Sequence, residues 1–593
     1  MKRSEIENKY KWDLTAIFPS DEQWEKDFGS LQGALPSLAA LKDGLTSSAA
    51  ALADALIKID ESALLCERIF VYAKMRRDED NGNTRYQGMT ERAWSLYVAV
   101  SGETSYVAPT LLKESDEKLL GFIAEEPRLA PYAFMIRNLI RQKSHVLGEA
   151  EEKLLSMSAE FAAGAKEIFT MLESVDMKFG TVKTPEGDVQ LTHAKYLELM
   201  QHRDRNVRRD AFETYYTSFR NNINTIATSY GTSIKKDAFY AKARNYGSAL
   251  EQALFADDVP VPLYDGLINT IHESLPVMYD YVDARKKILG LDDIAMYDIY
   301  VPLVGDTEKK YSYEESLDII FKALEPLGED YRKLLQRARD EHWMDVFENE
   351  GKTTGAYSWG AFGSHPYVLL NHRSDLDSVY TIAHELGHAM HTYHSDAAQP
   401  YPLAQYTIFV AEVASTVNEV LLTRYLLQHG DEKLKKHVLN HYIDQFRTTV
   451  LRQTMFAEFE RTAHGMNDAG EPINQESLSA KYKALNALYY GDGMKTCDTI
   501  ALEWARIPHF YNSFYVYKYA TGFSSAVMIA TRLFEKQPGA LEQYIAFLSS
   551  GGSDHPLELL KKAGVDFTDG APIRNCMKEF ARALAEFKQV MGV

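Results

Sequence analysis

Apolar residues recur at three- and four-residue spacing through the segments 153–173, 192–229, 262–288, 313–340 and 430–465, the period that lays one apolar stripe along an α-helix. Helix is also the expectation for the alanine-rich stretch near 48–55. Prolines are few and gather between these segments. Two stretches break the pattern. In MKFGTVKTPEGDVQLT, residues 177–192, alternating residues flank the turn former Pro185-Glu186-Gly187, which predicts a β-hairpin followed by Thr192 as a helix N-cap. From Met344 to Asn371, short apolar runs at 343–347, 356–359 and 367–370 are separated by Gly351, Gly355, Gly360 and Gly363, and predict a small sheet of short strands. The hairpin is the expected seam between an N-terminal helical domain, 1–195, and a second domain, 196–593.

Composition narrows the class. With 593 residues, 45% apolar and 25% charged, the chain has material for large cores, and disorder is a poor reading. A formal charge of −19 repels a phosphate backbone. The basic runs RQK at 141–143 and RNVRR at 205–209 read as solvated helix faces, so no nucleic-acid partner is expected. Three cysteines, Cys66, Cys497 and Cys576, offer no disulfide framework and fit a reducing compartment. The opening MKRSEIENKYKWDL never reaches the apolar middle region of a secretory signal, and no window approaches ~18 uninterrupted apolar residues. The expectation is a soluble, cytoplasmic protein without a membrane partner.

Chemistry concentrates in LDSVYTIAHELGHAMHTYH, residues 376–394, where His384-Glu385-Leu386-Gly387-His388 is an HExxH pattern. On a helix, positions i and i+4 project from one face, so His384 and His388 can offer two imidazoles to one tetrahedral ion. Glu385 is rotated about a hundred degrees from His384, beside such an ion, where a general base belongs. The bare pattern arises by chance often enough that context has to decide.

A catalytic zinc site keeps three protein ligands and one open position. A glutamate about twenty residues beyond the second histidine is missing, since Thr407 stands nineteen residues past His388. The alternative HExxHxxGxxH arrangement has its last histidine as His394 but His391 at the glycine position, where glycine would let the chain turn back to the metal. Helix continuation would carry His394 away. His391 shares the face of His384 and His388 one turn further on and reads as a support to the site, with direct ligation left open. The remaining candidate is Glu412 in FVAEVASTVNEVLLTRYLL, with Ser415 and Glu419 on its helix face as orienting partners for the metal-bound histidines.

HELGHAMH followed by FVAEVASTVNE resembles the thimet oligopeptidase-like zinc peptidases, and specifically the bacterial oligoendopeptidase F group. YKWDLTAIFPSDEQWE, GAYSWGAFGSHPYVLLNH and EWARIPHFYNSFYVYKYATGF carry the resemblance across nearly the whole chain. It implies a mainly α, elongated, multi-helix zincin-type peptidase with a small β-sheet beside the metal helix and a deep substrate channel, residues 196–593 forming the catalytic zinc peptidase domain. It implies one Zn2+ per chain held by His384, His388 and Glu412, Glu385 as catalytic base, and hydrolysis of internal bonds in short unstructured oligopeptides. It further implies that Gly355, Ala356 and Tyr357 pair with the substrate backbone. His509 matches a histidine that binds the scissile carbonyl oxygen. The accompanying tyrosines depart from the family spacing, since Phe514 stands where a tyrosine is expected; a one-residue offset makes Tyr515 and Tyr519 the candidates.

Overall fold

The computed structural model describes residues Met1–Gly305 and Lys309–Val593. Helices dominate. Those used below are α1 (Asp21–Ala40), α2 (Ala49–Glu79), α3 (Thr84–Thr104), α4 (Arg205–Ala243), α5 (Val261–Ile288), α6 (Leu376–Ala398), α7 (Ile408–His429), α8 (Arg452–Asp468) and α9 (Tyr517–Phe534). Among the described residues, seven short strands accompany them: β1 (Thr181–Thr184), β2 (Gly187–Gln190), β3 (Ile294–Ala295), β4 (Met344–Asp345), β5 (Tyr357–Trp359), β6 (Tyr367–Leu369) and β7 (Met494–Lys495). No helix among the described residues is long and apolar enough to cross a membrane.

The chain forms two compact units. The first comprises Met1–Ser144, Glu308–Tyr425 and Ile529–Val565. In it, α1, α2 and α3 pack on one another, and their apolar faces (Trp24, Phe28, Ile69, Met89) share a core with Tyr367 and Leu369 of β6. The three-stranded sheet runs in the order β4-β6-β5, with β4 parallel and β5 antiparallel to β6, and β5 packs beside α6. Lys352, with no exposed side-chain surface, pairs with Asp345 of β4 at 2.7 Å and donates to the Phe347 carbonyl at 2.8 Å and the Leu370 carbonyl at 2.5 Å, fixing the end of the sheet.

The second unit comprises His145–Thr307, Leu426–Met528 and Asp566–Val593. Its frame is α4, α5 and α8, and the hairpin β1-β2 turns at Pro185-Glu186 and packs on α4. Thr192 caps the helix that follows by accepting from the Lys195 amide.

Several stretches whose periodicity predicts one continuous helix are interrupted. The 192–229 stretch breaks where Asp204 caps the start of α4, and 313–340 breaks at Gly328, whose φ of +83° ends the preceding turn. A π-helical turn at Phe446–Leu451 separates α8 from the helix before it. In 313–340 the buried positions Ile320, Ala323, Leu327, Tyr331 and Leu334 keep three- and four-residue spacing across the break, so periodicity alone does not reveal it.

Candidate metal centre

α6 starts at Asp375, whose carboxylate accepts from the Ser378 amide, and continues past His391 and His394 to Ala398. Its apolar side, including Val379, Ile382, Leu386 and Met390, is buried, and this leaves His384 and His388 half-buried on the opposite side. Their Nε2 atoms stand 3.1 Å apart. Oε2 of Glu412, from α7, lies 3.4 Å from the first nitrogen and 3.5 Å from the second. A tetrahedron with zinc–ligand bonds of about 2.0–2.1 Å has edges of about 3.3 Å. The three donors therefore match one face of such a polyhedron, and their chemistry, two imidazoles and a carboxylate, suits zinc. Among the described residues this is the group whose donor atoms converge closely enough to hold a metal ion.

The approach of α7 to α6 depends on Gly387, between the two histidines. A Cβ there would stand 2.5 Å from Ser415 Cα and 2.7 Å from the Ala414 carbonyl oxygen. Asn418, fully buried, locks the same contact: its Nδ2 donates to the Ala383 carbonyl at 3.0 Å and its Oδ1 accepts from the Tyr331 hydroxyl at 3.3 Å. Neither residue belongs to the set singled out from the sequence. A polar side chain inside an otherwise apolar helix run is the signal for Asn418; for Gly387 it is glycine inside a strong helix.

Glu419 lies 2.5 Å from His384 Nδ1, and with the proton held on that nitrogen Nε2 presents a lone pair towards His388 and Glu412. Ser415 donates to Glu412 Oε2 at 3.2 Å. Burial disfavours charge on His384, but in the metal-free chain Glu412 and Glu419 overcome it and raise its pKa to about 10, so an ion binding at Nε2 would displace a proton. Hydrogen bonding from His384 and His388 holds the Glu412 carboxyl well below the usual carboxylate range. The electrostatics therefore favour a cation where the three donors meet. Glu385 is 7% exposed, and burial raises its carboxyl above the ordinary value, against the pull of His384 and His388.

His391 is buried and stacks on Tyr406 with ring centroids 3.7 Å apart. Burial, with His388 and His394 nearby, pushes it down to about 3. Gly355 and Ala356 precede β5, and Tyr357 opens it. The amides of Val368 and Leu370 donate to the Trp343 and Asp345 carbonyls, on the β4 side. Tyr367 and Leu369 therefore face β5, and by strand alternation Ala356 and Ser358 turn their N–H and C=O groups away from β6. A cavity of about 380 Å³ adjoins this edge, lined by Gly355, Ala356, Arg373 and, one turn before His384, Thr381.

His509, Tyr515 and Tyr519 lie together in the second unit. His509 faces Tyr515 at 6.3 Å and Tyr519 at 6.1 Å between ring centroids, and the two tyrosines are 5.5 Å apart. Phe514 is buried, with a φ of +60°, and its ring turns inward against His464. With Phe514 in this left-handed conformation, Tyr515 stands beside His509.

The description Peptidase family M3 matches residues 198–579, and Oligopeptidase F matches residues 111–179. The chain belongs to peptidase family M3. Among M3 relatives, it is 42% identical to Oligopeptidase PepF of Bacillus subtilis, over 99% of this chain and 88% of that protein. It is 38% identical to the Group B oligopeptidase PepB of Streptococcus agalactiae, over 100% and 98%. A crystal structure of oligoendopeptidase-F from Enterococcus faecium is similar, with a TM-score of 0.73 and 35% identity over 96% of this chain and 99% of that one. A crystal structure from Chlamydophila abortus gives a TM-score of 0.96 at 34% identity, covering 99% of each chain. M3 membership together with the His-His-Glu triad makes the chain a zinc-dependent metalloendopeptidase.

Proposed function

We propose that the chain holds one zinc ion through His384, His388 and Glu412 and uses Glu385 to cut internal bonds of short, unstructured oligopeptides in the cytoplasm. The observation that carries this reading is the convergence of those three donor atoms one residue from a buried glutamate. When bound, zinc supplies Lewis acidity, acidifying a water and polarising a carbonyl. Glu385, buried one residue from His384, accepts the proton of the attacking water as the water oxygen bonds to the peptide carbon. It then passes the proton to the amine nitrogen as the carbon–nitrogen bond breaks. Glu419 holds the His384 ring and Ser415 steadies Glu412.

The charge that develops on the carbonyl oxygen is met by donors from His509, Tyr515 and Tyr519. Loss of one such donor typically costs about 3 kcal/mol of transition-state stabilisation. The substrate backbone adds to the free edge of β5, where Ala356 and Ser358 present outward N–H and C=O groups, beside Gly355 and Tyr357.

The test pairs wild type with Glu385→Gln on a diverse set of short peptides and one folded domain, with products identified by mass spectrometry. Wild type is expected to cut peptides internally and leave the folded domain intact; E385Q is expected to keep its fold and zinc and lose nearly all turnover. Full activity of zinc-loaded E385Q would sink the assignment of the base.

A further inference from the structure

Six non-glycine residues among those described have positive φ: Asn245, Asp258, His342, Ser374, Phe514 and Lys536. Five are polar. Phe514, the apolar one, is 2% exposed, and a bulky residue in the left-handed region is strained unless its surroundings hold it there. It lies between His509 and Tyr519, where a change of one backbone dihedral would swing Tyr515 away from His509.

Two features hold it. Its ring is packed between His464, 4.5 Å away between centroids, and Tyr264, 5.9 Å away. Its amide donates to Glu460 Oε1 at 2.8 Å. Glu460 projects from α8 and is wholly buried, with its second oxygen, Oε2, lacking any hydrogen-bond partner. No ion pair of Glu460 occurs among the described residues. An ionisable side chain is an expensive way to fill a core, and the bond to Phe514 is the interaction visible in return.

We propose that Glu460 is a positioning residue for the reaction: through the Phe514 amide it fixes the left-handed turn that sets Tyr515 against His509. The inference rests on the oxyanion role given above to Tyr515. Burial pushes the Glu460 carboxyl well above its ordinary range and favours its neutral form, and Oε1 can accept the Phe514 bond in either form. A neutral amide of the same shape should then serve equally, whereas an apolar side chain of similar size leaves the Phe514 amide buried and unpaired, and the turn relaxes.

The test is a double-mutant cycle on kcat with Glu460→Met and Tyr515→Phe, with Glu460→Gln as the conservative variant. E460M is expected to lower kcat about tenfold or more, with KM and bound zinc little changed. E460Q is expected to stay near wild type. In the Y515F background, E460M is expected to have little further effect, because the hydroxyl it positions is gone; a purely structural role would give the same loss in both backgrounds. If E460M does not fold, Glu460→Asp, whose carboxyl falls one methylene short, takes its place with the same expectation. Additive losses, or E460Q as impaired as E460M, would overturn the inference while leaving Tyr515 its role. A Y515F enzyme with unchanged kcat would overturn the reading of Tyr515 and the inference together.

Discussion

Glu419 does its work on His384 without taking a place among the three converging donors. Held 2.5 Å from Nδ1, it favours the tautomer with the proton on that nitrogen and orients the ring. Such partners typically contribute 10- to 100-fold in metal affinity. Glu419→Ala is therefore expected to weaken zinc binding by about that factor in a competitive chelator titration, with thermal stability little altered. A second residue-scale consequence concerns acid. Burial pushes His464 down to about 4, against the pull of Asp237 and Asp468, from an ordinary value of 6.5. Between those values the unfolded chain binds a proton that the folded one refuses. The stability linked to this group is thus complete above pH 6.5 and is lost as pH falls towards about 4, by about 1.4 kcal/mol per pH unit at most. His464→Gln is expected to flatten the dependence of the urea midpoint on pH across that window; an unchanged slope would contradict the assignment.

Among single residues, HExxH spacing makes His384, Glu385 and His388 legible in the sequence, because ligand geometry on a helix is a matter of offsets. Glu412 is legible only with the family pattern beside it, since it comes from another helix. Glu460 and Asn418 leave no offset to read; what matters about them is which backbone group they reach.

At the scale of elements, the metal centre is a contact between two helices, and its closeness is set by the missing side chain of Gly387. A methyl group there meets Ser415 Cα at 2.5 Å, so α7 must retreat and carry Glu412 with it. Gly387→Ala adds helix propensity, worth about 1 kcal/mol in isolation. It is nonetheless expected to lose most zinc affinity and activity while its circular dichroism stays helical. Retention of full zinc affinity would show that the helices can re-pack. The sheet follows the same logic: glycine punctuation predicts its short strands, and β4, β5 and β6 fall within the predicted runs. Which strand stands at the edge is not written in any one run, because it depends on β4 pairing parallel to β6 from the far side. The helix breaks at Asp204 and Gly328 escape the periodicity for a related reason, since a cap or a left-handed glycine needs only one residue.

At the scale of the molecule, each compact unit is assembled from three separate stretches of chain, so cores are shared between segments distant in sequence. The N-terminal helices close their core with residues of β6, about three hundred positions later in the chain. Such long-range sharing is invisible to local patterns. The excess of acidic over basic residues, 84 against 65, bears on solubility and on avoidance of polyanions rather than on catalysis. In the proposed mechanism, turnover depends on a zinc ion held by His384, His388 and Glu412. The most direct measurement is cleavage of a quenched fluorescent oligopeptide before chelation, after chelator treatment and after zinc is restored at a level stoichiometric with the chain, for wild type and for Glu412→Ala. Wild-type activity is expected to be abolished by the chelator and recovered at one zinc per chain, and E412A is expected to recover little. Cleavage that survives complete removal of metal, or an E412A enzyme restored to wild-type activity by the same zinc, would contradict that mechanism.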